Sequence, residues 1–234
     1  MTQDTTKPSK PEFFNQEMAQ SYDDRNSKFG VVKDNVHFHV NLVLEDLPDD
    51  ARVLCVGAGT GIEIIALSSL HPKWRFVALD PSKPMLDVCA KNLENANITD
   101  RCELIHGYVQ DAPNSVEFDA VISLFVAHFI PVEDRPSYYK NIHDRLKKGA
   151  CFVSTELSFD LDSAEFPAML ENWKSIHKLM GATPESLEAL PQSLRDTLSI
   201  LSPKTTESLL KEAGFGLPVQ YLQNFMIRGW YSVK

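Results

Sequence analysis

Apolar residues near the start of the chain recur every three or four positions, which is the spacing of one face of an α-helix. This spacing predicts an amphipathic helix with apolar positions at Val32, Val36, Val40, Val43, Leu44 and Leu47. A shorter helix is expected over residues 13–22. Residues 1–11 are polar and contain two prolines, so we expect a disordered arm there and a single domain over residues 12–234.

Beyond residue 51, short apolar runs alternate with helical stretches. The apolar runs predict five strands, at residues 52–56, 75–79, 102–105, 118–125 and 150–157. Helices are expected over residues 62–70, 82–94 and 136–146, with Ser82 as an N-cap. Strands that alternate with helices form a parallel sheet covered by helices on both faces. The pattern therefore predicts an α/β, Rossmann-like fold.

Two stretches depart from this alternation. One is the helical N-terminal segment, and the other is residues 160–201, which read as two helices broken near residues 181–184. A last helix is expected from residue 202 to 213, with Gly214 as its C-terminal cap. Strands at residues 217–223 and 225–232 close the chain. The expected fold is a seven-stranded, mostly parallel sheet with an N-terminal helical lid and a helical cap inserted after the fifth strand.

Composition and charge narrow the possible partners. The chain has 234 residues, 43% of them hydrophobic, and a formal net charge of −9. Proteins that grip nucleic acid usually carry a basic face, so a nucleic-acid partner is not expected. The longest apolar run, residues 120–130, is too short to span a membrane, and no signal peptide is expected. No cysteine pair has C-x-x-C spacing, which favours a reducing cytoplasmic location with neither disulfides nor a metal site; the four are Cys55, Cys89, Cys102 and Cys151.

A glycine-rich turn is the strongest chemical signal. Residues 53–61 read VLCVGAGTG, a strand that runs into a turn with glycine at alternate positions and then into a helix. Glycine lets the backbone approach a ligand closely, and the helix N-terminus offers free N–H groups. In a dinucleotide fingerprint two residues separate the second and third glycines, whereas here only Thr60 does. A dinucleotide-dependent oxidoreductase is therefore disfavoured.

A carboxylate follows the second predicted strand. Asp80 stands 19 residues beyond Gly61, where an acidic side chain can accept hydrogen bonds from both hydroxyls of a ribose. An N-cap or turn aspartate is the alternative reading for Asp80 alone. Together with the glycine turn, Asp80 favours a nucleoside-containing ligand.

These motifs resemble those of class I S-adenosylmethionine (SAM)-dependent methyltransferases. The matching segments are residues 53–61, 78–82 with Met85, 107–111, 118–123, 146–150 and 209–215. The resemblance implies SAM as the cofactor. It also implies cofactor-binding roles for three groups: Gly57, Ala58 and Gly59 under the methionine part; Asp80 at the ribose; and Pro81, Met85, Tyr108 and Val109 around the adenine. Leu124 would lie beside the sulfonium.

Two positions depart from that family's pattern. The family usually has an acidic residue where Cys55 stands, and it helps to order the turn and the ligand's ammonium group. Many members also have an aspartate where Tyr108 stands, facing the adenine amino group. Asp111 is a candidate substitute for the second of these carboxylates.

Acceptor-side residues are predicted with an alternative beside each. His128, after the fourth strand, is the candidate catalytic base, with a packing histidine as the alternative. Tyr22 and Arg25 resemble the lid segment of such enzymes or form an exposed helix face. Trp173 and His177, spaced i, i+4, line a substrate pocket or simply pack together. Glu156, at the end of the fifth strand, is expected to be structural, with a catalytic role as the alternative.

Three functions are compatible with these residues. The leading one is methyl transfer to a small-molecule acceptor, because an acidic chain with a helical cap suits a metabolite. The last third also resembles carboxy-SAM synthase of tRNA wobble-uridine modification, in which an arginine pairs with the new carboxylate; Arg195 falls near that place. That family's asparagine near Leu124 and tyrosine near Lys33 are missing here. A non-catalytic SAM-binding protein is the third reading, and a homodimer is possible in each case.

Overall fold

Seven strands form one sheet in the computed structural model, which describes residues 14–113 and 117–234 apart from the side chains of residues 24–27. The strands are β1 (Arg52–Val56), β2 (Arg75–Asp80), β3 (Cys102–His106), β4 (Phe118–Leu124), β5 (Leu146–Leu157), β6 (Val219–Asn224) and β7 (Ile227–Val233). Their order across the sheet is β3-β2-β1-β4-β5-β7-β6. The predicted arm at residues 1–11 lies outside the described residues.

Parallel pairing aligns the ends of the central strands. Cys55 of β1 pairs with Ala78 of β2 on one side and with Ile122 of β4 on the other. Only the β5–β7 and β6–β7 pairs are antiparallel among the described strands, so β7 alone runs against the others. The carboxyl ends of β1 to β4 consequently share one edge, where open α/β sheets bind ligands.

Helices cover both faces of the sheet. They are α1 (Gln16–Asn26), α2 (Gly30–Val43), α3 (Ile62–Leu70), α4 (Lys83–Asn95), α5 (Arg135–Arg145), α6 (Phe166–Leu179), α7 (Pro184–Asp196) and α8 (Pro203–Glu212). Side chains of β1 alternate between two apolar cores: Val53 faces the core shared by α2, α3, α4, α6 and α7, and Leu54 faces that of α5 and α8. Such alternation is expected of a strand buried on both faces.

The predicted fold class is confirmed, including the N-terminal helices and the helical insert formed by α6 and α7. Ser82 caps α4 by accepting a hydrogen bond from the Met85 N–H at 3.3 Å, as predicted. Gly214 has a φ of +103°, which fits a left-handed cap after α8.

Several element boundaries differ from the sequence prediction. β4 ends at Leu124 because Phe125 adopts a φ of +60°, a left-handed conformation that no strand tolerates. β5 begins at Leu146, four residues before the predicted start at 150. β6 and β7 each begin two residues later than predicted, at Val219 and Ile227. None of the helices in the described part of the chain is long and apolar enough to cross a membrane.

Candidate functional site

A cavity of about 590 Å³ opens at the carboxyl edge of the parallel strands, within the range of small-molecule sites. Its floor is formed by the ends of the parallel strands and the loops after β1, β2 and β3, and its roof by α1, α2 and the segment after β4. All nine residues predicted to bind the cofactor line the cavity: Gly57, Ala58, Gly59, Asp80, Pro81, Met85, Tyr108, Val109 and Leu124. The sequence motifs therefore converge on one place.

The glycine turn is held against β2 by its main chain. The N–H groups of Gly57 and Ala58 both donate to the Leu79 carbonyl oxygen, at 2.8 and 3.0 Å. Gly57 has a φ of +68°, and a Cβ placed there would lie 2.4 Å from Cγ2 of Val126. A side chain at this position would be strained and would clash, so the turn needs glycine for both reasons.

Asp80 ties the first two strand ends together. Its Oδ2 accepts a hydrogen bond from the Gly59 N–H at 2.9 Å, and its Oδ1 accepts one from the Ser82 N–H at 2.8 Å. Burial raises the pKa of this carboxyl, while the two N–H groups act in the opposite direction. Each carboxylate oxygen has a second lone pair, so Asp80 can still accept hydrogen bonds from a ligand's hydroxyl groups.

The loop after β3 contributes Tyr108 and Val109 to the cavity wall. The Asp111 carboxylate accepts a hydrogen bond from the Tyr108 N–H at 2.8 Å. Asp111 thus orders this loop through its main chain. A Cβ at Gly107 would lie 2.5 Å from Oδ2 of Asp111, so the close approach of that carboxylate also depends on a glycine.

The N-terminal helices are fastened over the cavity by polar contacts. Oδ1 of Asp23 accepts a hydrogen bond from the Thr60 hydroxyl at 2.8 Å, and Oδ2 accepts one from the Asn92 amide at 3.3 Å. The Phe14 carbonyl oxygen accepts a hydrogen bond from the Ser82 hydroxyl at 2.8 Å. Tyr22 lines the cavity, as the lid prediction expects, whereas the side chain of Arg25 lies outside the described residues.

Sequence reasoning missed several titratable residues of the cavity, among them Lys33, His37 and Glu63. Burial lowers the pKa of Lys33 and of His37. Burial raises the pKa of Glu63 to about 7, while its own backbone N–H and the charge of Lys33 act in the opposite direction. The position of Glu63 could have identified it from the sequence, because it stands two residues after Gly61 in the first turn of α3.

The structure does not bring His128 to the cavity. Its ring is buried, and Nδ1 accepts a hydrogen bond from the Leu157 N–H at 3.2 Å. Glu156 is also enclosed, since its Oε2 lies 2.9 Å from Nη1 of Arg135 and neither side chain is exposed. These contacts favour the packing alternative for His128 and the structural one for Glu156.

The predicted acceptor residues of the insert also lie apart from the cavity-lining set. Trp173 and His177 pack against each other with ring centroids 5.6 Å apart. Nη1 of Arg195 lies 3.0 Å from Oδ1 of Asp162, and Nη2 donates to the Leu161 carbonyl oxygen. Arg195 therefore joins α7 to the segment that leads into α6.

Comparisons with known proteins agree with this geometry. Residues 53–149 match the family profile of a methyltransferase domain. Over 216 residues the chain is 24% identical to a carboxy-S-adenosyl-L-methionine synthase from Nautilia profundicola, covering 89% of each protein. The profile covers the glycine turn, Asp80 and the β4 segment, which are among the residues that carry the resemblance, but not residues 209–215.

Solved structures share the fold at low identity. A putative SAM-dependent methyltransferase from Methanococcus maripaludis superposes with a TM-score of 0.64 at 19% identity, over 100% of this chain and 97% of that one. A putative O-methyltransferase from Nostoc punctiforme gives a TM-score of 0.68 at 16% identity; this chain is covered to 94% but spans only 59% of that protein. These structures show that the fold is shared. The methyltransferase-domain profile over residues 53–149 confirms the resemblance to class I SAM-dependent methyltransferases, and SAM is the cofactor that goes with it.

Proposed function

We propose that this chain, which has the fold and the family signature of class I SAM-dependent methyltransferases, transfers a methyl group from SAM to a small-molecule acceptor. One observation carries the proposal. A single cavity of about 590 Å³ joins the glycine turn and Asp80 to aromatic and titratable side chains of the roof. Such a cavity would hold a nucleotide against its floor and an acceptor against its roof, close enough for the two to react.

The residues on the floor fit SAM. Asp80 would accept hydrogen bonds from the ribose hydroxyls, and the main chain of Gly57 and Gly59 would lie against the methionine part. Pro81, Met85, Tyr108 and Val109 would enclose the adenine, and Leu124 would lie beside the sulfonium. Gly59 has a φ of +53°, which side chains of L-residues rarely adopt, so the turn favours glycine at this position too.

The roof would position the acceptor. SAM supplies an electrophilic methyl group, so the protein's main task is to hold the acceptor in line with it. Four aromatic side chains line the cavity and give it a wall that suits a ring-bearing acceptor: Phe14, Tyr22, Phe125 and Phe129. Phe14 packs against Tyr22 and Phe129, with ring centroids 6.2 and 5.3 Å apart. His37 also lines the cavity, and the lowered pKa leaves its ring neutral near pH 7, able to take a proton from an acidic acceptor.

Carboxy-SAM synthesis is the second candidate, since the Nautilia relative carries that name. Such an activity needs a cation near the new carboxylate. Arg195 forms an ion pair with Asp162 instead. Among the described residues that line the cavity, Lys33 is the one lysine or arginine. Lys33 would be the carboxylate's partner in that case. A SAM-binding protein without turnover is the third reading, and a cytoplasmic location and a homodimer stay predictions.

Mass spectrometry of the purified, denatured protein tests the proposal. Copurified SAM or S-adenosylhomocysteine would support the methyltransferase, and carboxy-SAM would replace it with the second candidate. If the protein carries nothing, calorimetric titration with SAM decides between a SAM site and a scaffold that binds no SAM. Turnover against a panel of phenols, amines and carboxylic acids then separates an enzyme from a non-catalytic binder.

A further inference from the structure

Glu63 is a carboxylate that lines the cavity. It projects from the first turn of α3 and lines the cavity beside Thr60 and Ile62. Among the described side chains no cation forms an ion pair with it. A partly buried carboxylate in this position is costly for the protein unless a positively charged partner arrives.

The charged groups that shift the pKa of Glu63 lie on the elements packed around it, and most of them are acidic. Three have the largest effect: Lys33 of α2, Asp80 of β2 and Asp23 of α1. The charge of Glu63 in turn raises the pKa of four neutral groups: Tyr22 of α1, Cys55 of β1, Cys89 of α4 and Cys102 of β3. With three carboxylates against one ammonium, this end of the cavity favours a cationic ligand group.

Glu63 lies close to the side chain that departs from the family pattern. Among the charged groups that act on the Cys55 thiol, Glu63 has the largest effect. Cys55 itself is 1% exposed and belongs to the apolar core, so it offers no charge to a ligand. The carboxylates at this end of the cavity therefore come from α3, β2 and α1, and β1 contributes none.

We propose that Glu63 is the counter-charge for the protonated α-amino group at the methionine end of the bound nucleotide. This assignment rests on the proposed function, because it takes SAM as the ligand. Glu63 is then a specificity-determining residue, which distinguishes nucleosides with a cationic amino-acid tail from those without one. The remaining lone pairs of its carboxylate give a charge-assisted hydrogen bond to that tail.

Calorimetric titration with three probes tests this role. SAM and S-adenosylhomocysteine carry the α-amino group, and 5′-methylthioadenosine lacks it while keeping the ribose and adenine. Glu63→Gln should weaken binding of SAM and S-adenosylhomocysteine by roughly tenfold to a hundredfold, the range of a hydrogen bond to a charged group. Binding of 5′-methylthioadenosine should change less than about twofold on the same scale. Glu94→Gln, which removes an exposed carboxylate of α4, is the matched control and should change neither.

The wild-type protein gives a second measurement that needs no variant. Only ionised Glu63 pairs with an ammonium group, so SAM affinity should rise from pH 5.5 to 7.5 and 5′-methylthioadenosine affinity should rise less. Asp80 would face the ribose in all three probes. S-Adenosylhomocysteine and 5′-methylthioadenosine are both thioethers, so the pH dependence of the difference between these two isolates the amino-acid tail from the sulfonium charge of SAM. An α-amino group, with an ordinary pKa of about 7.7–8.0, is still mostly protonated throughout this window.

The outcomes separate the inference from the proposed function. If the wild type binds 5′-methylthioadenosine and SAM equally at every pH, or if Glu63→Gln weakens both to the same extent, Glu63 is not the counter-charge. If the wild type binds none of the three probes, the proposed function itself fails.

Discussion

Thr60 and Asp23 are joined by a hydrogen bond of 2.8 Å, which links the glycine turn after β1 to the helix α1 that roofs the cavity. Asn92 of α4 strengthens the link, since its amide donates both to Asp23 and to the Thr60 carbonyl oxygen. The turn proposed to carry the methionine part of SAM is thus attached directly to its cover. Any opening of α1 has to break this contact.

Thr60→Val should loosen α1 without unfolding the sheet. The substitution keeps the shape of the side chain but removes the donor to a carboxylate, a contact worth about 1.5–3 kcal/mol. Amide hydrogen exchange in α1 should therefore become roughly tenfold faster. Ser69→Ala, which removes only a hydroxyl bonded within α3, should leave α1 unchanged. Equal protection of α1 in both variants would show that the contact does not hold the roof.

Asp80→Ala should lower SAM affinity by at least about tenfold, because it removes a charged acceptor from the ribose side of the cavity. The loss of two main-chain contacts, to Gly59 and Ser82, should also disorder the glycine turn. Calorimetric titration with SAM measures the first effect, and circular dichroism checks that the fold is kept. Asp87→Ala, on the exposed side of α4, is the control. Unchanged binding in Asp80→Ala would refute the assignment of the ribose site.

Gly57→Ala should weaken both SAM binding and stability. Alanine at a φ of +68° is strained, and its Cβ would overlap Val126. We expect a loss of stability of about 1–3 kcal/mol, the cost of a strained residue. Adding Val126→Ala should recover the part caused by overlap but not the part caused by the backbone. Gly30→Ala, where an added Cβ would meet nothing within 4 Å, is the control in thermal unfolding.

Arg135→Met should destabilise the fold by about 3–5 kcal/mol, because it leaves Glu156 buried without its partner. Arg135 also donates to the carbonyl oxygens of Ile130 and Ser199, so further contacts are lost. The double variant with Glu156→Gln should be less unstable than the sum of the two single variants. Lys73→Met, in an exposed ion pair, should cost less than about 1 kcal/mol in the same denaturant titration. If Arg135→Met and Lys73→Met lowered the free energy of unfolding by similar amounts, the prediction would be wrong.

Glu63 should make the ligand-free protein less stable as the pH rises. Its pKa is about 7 in the folded state against an ordinary value of 4.5, so between these values the folded state holds a proton that the unfolded state has released. Stability therefore falls with increasing pH across this window. Relative to Glu63→Gln, the wild type should lose on the order of 2 kcal/mol between pH 5 and 8, since one pKa unit corresponds to about 1.4 kcal/mol. Denaturant titrations of both proteins at each pH measure it, and parallel curves would contradict it.

The sheet and the nucleotide side of the cavity were predictable because both depend on local sequence. Apolar runs mark the buried strands, and the ligand-facing loops follow directly from the strand ends. The glycine turn and Asp80 meet because β1 and β2 are parallel neighbours, which the strand–helix alternation already implies. Strand ends were less predictable, as at Phe125, where a left-handed residue stops β4 within an apolar run.

The acceptor side was not predictable because it depends on how distant elements pack. His128 follows β4 at the correct edge, yet its ring turns towards the main chain of Leu157. Lys33 and His37 look like polar positions of an amphipathic helix, and only the placement of α2 over the cavity gives them a role. Arg195 likewise forms an ion pair with Asp162, a contact within the insert that residue spacing does not predict.

The floor and the roof of the cavity constrain the amino-acid sequence in different ways. The floor presents main chain held by glycine turns and one carboxylate, so almost any change there disturbs the fold itself. The roof presents side chains from α1, α2 and the segment after β4, whose identities are set by what they touch and not by backbone conformation. Acceptor choice can therefore drift, or be redesigned, by exchanging a handful of roof side chains while the nucleotide half is inherited intact.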